Sequence, residues 1–117
     1  MNVDFQSSFQ HILLKLEESG QEYAEARKRS YYSQEMVSSI KASIMLRAME
    51  ENPKLSVAKA ELIAKASEDY KQHLKETSEA IYDENVKRSE YKKWDASFEA
   101  NRSLSSLEKR TQQLIGD

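Results

Sequence analysis

Two stretches of the chain combine the residue types that bind polyanions. Residues 26–32 read ARKRSYY and residues 87–94 read KRSEYKKW. The cations of Arg27, Lys28, Arg29, Lys87, Arg88, Lys92 and Lys93 can neutralise phosphates and release condensed counterions. Tyr31, Tyr32, Tyr91 and Trp94 carry flat π-faces on which unpaired bases stack. Seven cations stand against one acid, Glu90, in a chain of formal net charge −2. The basic character is local, and the remainder of the chain is acidic. Such a combination suits single-stranded nucleic acid or an acidic protein surface. The same residue types at helical spacing also serve as a solvated or packed face.

Reaction chemistry has little to build on. His11 and His73 are the two histidines, and there is no cysteine. That excludes disulfides and thiolate metal sites. No E-x-x-H pair, HExxH or G-x-x-x-x-G-K-[ST] occurs, so di-metal carboxylate, zinc-protease and P-loop patterns are missing. The acidic pairs Glu17/Glu18, Glu50/Glu51 and Glu68/Asp69 fit ion pairing and helix starts. Ser38/Ser39 and Ser105/Ser106 have no base in reach. The sequence predicts a non-enzymatic protein with no catalytic residue, no cofactor and no metal.

The elements that hold these side chains are helices. The chain has 117 residues, 32% of them charged and 38% hydrophobic, with a mean hydropathy of −0.82. That is too little apolar volume for a thick core, but enough for a narrow seam between long helices. Two glycines and one proline are too few turn-makers for an all-β or α/β fold. MNVDFQSSFQHILLKLEE lacks the basic and apolar regions of a signal peptide. No run approaches the ~18 apolar residues of a membrane span. A single cytoplasmic helical domain over 1–117 is expected.

Asp4 or Ser7/Ser8 can cap a first helix. Phe5, Phe9, Ile12, Leu16, Tyr23, Val37, Ile40 and Ile44 then recur mostly at steps of three, four or seven. Between Leu16 and Val37 the row thins to Ser19, Tyr23, Ala26 and Ser30. Gly20 lies in that stretch and marks a kink, a close helix–helix approach or a tolerated exposed position. Pro53 ends the helix, because it lacks an amide donor and restricts Asn52 before it. Helix 1 is therefore about 5–51. Ser56 can cap a short helix over 57–66, and Ser67 a last helix over about 68–114, with Glu68 and Asp69 at the positive end of its dipole.

The expected fold is all-α: a long antiparallel helical hairpin with the short helix at the turn, assembled into an oligomeric bundle. Heptads are expected only in segments, so an irregular bundle is favoured over a regular coiled coil. Phe5, Phe9, Ile12, Leu16, Ile40, Ile44, Phe98, Leu107 and Leu114 are the expected contacts between copies. Folding back symmetrically near Pro53 places Arg27–Arg29 level with Lys87–Glu90. The two basic-aromatic stretches then form one cationic zone.

The second half, from LSVAKAELIAKASEDYKQHLKETSEAIYDENVKRSEYKKW to NRSLSSLEKR, resembles a group of small helical proteins of tailed bacteriophages and prophages, encoded near single-strand annealing and recombination genes. The likeness rests on Val57, Ala58, Ala60, Ala64, Ala66, Tyr70, His73, Ala80, Val86, Tyr91, Trp94, Phe98, Arg102 and Arg110, and covers about half the chain. It implies a phage origin and an accessory part in DNA recombination or replication, and it supplies no site residues. The expected function is a self-associating accessory protein that touches single-stranded DNA or a DNA-bound recombination partner. The alternatives are a protein–protein inhibitor of a host defence or replication protein, and a structural or assembly oligomer. No membrane partner is expected.

Overall fold

The computed structural model describes residues 2–116, and the side chains of residues 8–115. It contains three helices: α1 (Asn2–Glu51), α2 (Val57–Ala66) and α3 (Glu68–Gly116). The chain is an all-α helical hairpin, with α1 and α3 antiparallel and α2 at the turn. Asp4 and Ser7, offered as caps, have side chains outside the described residues.

The breaks follow from local chemistry. Past Pro53 the chain turns, with Leu55 N–H donating to the Asn52 carbonyl at 2.9 Å and Lys54 N–H to Asn52 Oδ1 at 3.2 Å. Ser56 is extended (φ −74°, ψ 156°), and its hydroxyl accepts the Lys59 N–H, closing the first turn of α2. Ser67 serves two helices. Its hydroxyl donates to the Ala64 carbonyl at 2.8 Å and accepts the Tyr70 N–H at 3.2 Å. One extended residue thus ends α2 and caps α3.

The chain forms two compact units, Met1–Ala24 with Val86–Asp117, and Glu25–Asn85. In the first, Phe9, Ile12, Leu16, Ser19 and Tyr23 of α1 share a buried or half-buried row. Lys87, Tyr91, Trp94, Phe98, Asn101 and Ser105 form the matching row on α3. Phe9 stacks on Phe98 at 5.7 Å between ring centroids, and Tyr23 on Tyr91 at 6.0 Å.

In the second unit the row on α1 continues through Ala26, Ser30, Ser33, Val37, Ile40 and Ile44, opposite Tyr70, His73, Thr77, Ala80 and Glu84. The steps alternate three and four throughout each unit, the spacing of a coiled-coil seam. Heptads expected only in segments are therefore continuous, because serine, threonine, asparagine and charged residues occupy seam positions that an apolar count skips. α2 seats Ala60 and Ala64, both fully buried. Lys41 Nζ on α1 reaches Glu61 Oε1 on α2 at 2.7 Å, and Lys65 joins it at 3.2 Å.

Among the described residues, the buried hydrophobic set is Ala26, Ala60, Ala64 and Ala80. Ser19, Ser30 and Thr77 are the buried polar ones. Thr77 keeps its hydroxyl satisfied at the His73 carbonyl, 2.7 Å, and near the Ser33 carbonyl, 3.3 Å. Small side chains bring the helix axes close but remove little apolar surface from water.

Candidate functional site

The two basic-aromatic stretches fall in different units, and each finds its described partners within its own. In the second unit, Arg29 Nη1 meets Asp83 Oδ2 at 3.2 Å. Arg27 and Lys28 are exposed on the same stretch of α1. Tyr31 and Tyr32 are 67% and 64% exposed. This stretch presents cations and open rings to solvent.

In the first unit the corresponding groups turn to structural partners. Lys87 Nζ lies 3.6 Å from Glu22 Oε2. Arg88 Nε donates to Tyr23 Oη at 3.1 Å and its guanidinium stands 5.6 Å from that ring centroid. Tyr91 packs on Tyr23 and against Gly20. Trp94 Nε1 donates to Glu90 Oε1 at 2.9 Å, and His11 meets its ring edge-on at 5.8 Å. Lys93 Nζ sits 5.0 Å over the same indole. Lys92 is exposed. Tyr91 and Trp94 are thus half-buried seam residues, whereas Tyr31 and Tyr32 are open.

The expected register is corrected by the same contacts. Arg29 faces Asp83, not the Lys87–Glu90 segment, a displacement of more than one helical turn of about 3.6 residues. Asp83 and Glu22 enter as partners, so each basic stretch is partly neutralised where it lies. Tyr82, which the sequence reading passed over, is 72% exposed. The signal for it was its place two residues beyond the seam position Ala80.

The residues expected between copies divide. Phe9, Ile12, Leu16, Ile40, Ile44 and Phe98 lie half-buried in the intrachain rows. Leu107 and Leu114 are exposed, and the side chain of Phe5 lies outside the described residues. Further exposed apolar side chains include Leu13, Leu14, Leu46, Val57, Leu62, Ile63, Leu104 and Ile115.

Among the described residues no cluster of three or more His, Asp or Glu side chains could hold a metal ion, and no helix is long and apolar enough to cross a membrane. His73 stands 3.6 Å from both Asp69 and Glu76, its neighbours on α3. A shallow recess of about 130 Å³ beside it is lined by Tyr32, Ser33, Met36, His73, Glu76 and Thr77. Hydrogen bonds from Lys41 and then Lys65 hold the Glu61 carboxyl below its ordinary value, and the bond to Glu61 raises Lys41. That network fastens α2 to α1.

No family model, curated protein or solved structure matches this chain.

Proposed function

We propose that this chain is a non-enzymatic interaction protein that works as an assembly of its own copies. The observation that carries this is its surface. Thirteen large aliphatic side chains stand exposed among the described residues, whereas the buried hydrophobic set there is four alanines. A fold with so small a core depends on a partner that is present whenever the chain is, and another copy meets that condition. The test is thermal unfolding over a hundredfold range of chain concentration. Coupled folding and association raises Tm with concentration. A constant Tm across the range contradicts the reading.

A second reading concerns what the assembly touches. Exposed Tyr31 and Tyr32 beside Arg27, Lys28 and Arg29 favour contact with single-stranded DNA through the second unit. The accessory role in phage DNA recombination or replication that the resemblance implies fits this contact. Binding of a labelled oligonucleotide that weakens steeply with salt supports it. The same anisotropy at all protein concentrations and low salt contradicts it.

A further inference from the structure

We infer that Asp83 withholds Arg29 from bound DNA, and so limits how tightly the second unit holds a single strand. This rests on the single-strand reading above and adds to it a residue that tunes the contact.

All the groups concerned lie in one compact unit, Glu25–Asn85. At 3.6 residues per turn, Tyr32, Lys28, Tyr31 and Arg27 follow one another round about 140° of α1. Arg29 lies roughly 60° beyond Tyr32, on the border with α3. There its Nη1 donates to Asp83 Oδ2 at 3.2 Å. Glu76, Glu79 and Asp83 stand three and four residues apart, which puts them on one side of α3. Glu76 lines the recess beside Tyr32. Glu25 and Glu35 close the basic stretch at its two ends along α1.

A polyanion on this surface therefore meets two unlike borders. On one, the cations of Lys28 and Arg27 stand open. On the other, the Arg29 charge is already met by Asp83, with two further carboxylates along the same side of α3. A phosphate gains there only by displacing Asp83, because a neutralised cation adds no counterion release. The phosphates of a strand stacked on Tyr31 and Tyr32 accordingly run along Lys28 and Arg27.

The Arg29–Asp83 contact is open to exchange. One nitrogen meets one oxygen, and the side chains are 62% and 37% exposed. A solvent-exposed pair of this kind favours its closed state by a factor of about five at most. It can tune an affinity without deciding the fold.

The test is a cycle of four full-length proteins: wild type, Asp83→Asn, Arg29→Gln and the double variant. Anisotropy of a labelled oligothymidylate is followed from low to high salt. Helical circular dichroism should match in all four, because the pair is exposed. Asp83→Asn should bind roughly two- to fivefold tighter than wild type at low salt. Its salt slope should steepen by about 0.7 for each copy the strand touches. In the Arg29→Gln background the same substitution should give a smaller gain and leave the slope unchanged.

Equal gains in both backgrounds would mean that Asp83 acts only as a repelling charge, and would overturn the inference. Unchanged or weaker binding by Asp83→Asn would overturn it as well. Either result leaves the DNA reading standing. No salt-sensitive binding by any of the four proteins overturns that reading and this inference with it.

Discussion

Gly20 and Tyr91 touch across the two helices of the first unit. A methyl group placed on Gly20 would stand 3.2 Å from Tyr91 Cε2 and 3.5 Å from Cδ2. The glycine has an ordinary negative φ, so close approach, not backbone conformation, is what favours it. Alanine gains about 1 kcal/mol over glycine in a helix interior, but here the ring must shift to admit it. Gly20→Ala alone should therefore change stability by less than that gain. In the background of Tyr91→Ala, where the ring is gone, the same substitution should recover the full ~1 kcal/mol. Chemical denaturation of the four proteins in this cycle measures the difference. Equal effects in both backgrounds would show that the contact does not matter.

Ala60 and Ala64 are fully buried, and both belong to α2. A leucine at either position has no space. Ala60→Leu should cost about 1–3 kcal/mol by overpacking and should lift α2 from its seat. Denaturation and faster proteolysis near Lys59 are the measurements. Retained stability with unchanged proteolysis would mean that α2 is not anchored by its alanines.

The Lys41–Glu61 contact gives a pH dependence of known sign. The Glu61 carboxyl titrates below its ordinary 4.5. Its contribution is present above that value and is lost as pH falls through the lowered one. Lys41 titrates above its ordinary 10.5. Its contribution is present below that value and is lost as pH rises through the raised one. Wild type should therefore exceed Glu61→Gln in Tm over the plateau between these limits, with the gap closing on the acid side. A gap independent of pH would remove the ion pair as its cause. The contact is only partly screened from solvent, so added salt should narrow the gap as well.

Tyr31 and Tyr32 are the open rings of the basic-aromatic stretches. If DNA is bound there, Tyr31→Ala and Tyr32→Ala should each weaken oligonucleotide binding by about 1–3 kcal/mol. Arg27→Glu should weaken it more at low salt than at high salt. Lys93→Ala, which acts at an indole already held by Glu90, should change binding little. Fluorescence anisotropy distinguishes these outcomes. Losses confined to Lys93→Ala would transfer the site to the first unit.

The sequence made some of these relationships legible and hid others. Helix boundaries were readable because Pro53, Ser56 and Ser67 act through local rules: a missing donor, and hydroxyls that replace missing helix partners. The three helices follow directly. Register was not readable. An apolar count passes over Ser33, Thr77, Glu84 and Lys87, yet these stand in the rows of the two units. Folding back symmetrically about Pro53 therefore set Arg29 beside the wrong segment, more than a helical turn from Asp83. Exposure of individual rings was also hidden. Tyr91 and Trp94 occupy heptad positions, whereas Tyr31 and Tyr32 lie off them. That distinction appears only once the polar seam residues are counted.

Sedimentation equilibrium of the full chain tests the account most directly, because every argument about its surface depends on a second copy. The account predicts a mass at least twice the 13.6 kDa of one chain at micromolar concentration, with dissociation on dilution accompanied by loss of helical signal. A mass of one chain at every concentration, with helicity and cooperative unfolding intact, would contradict it.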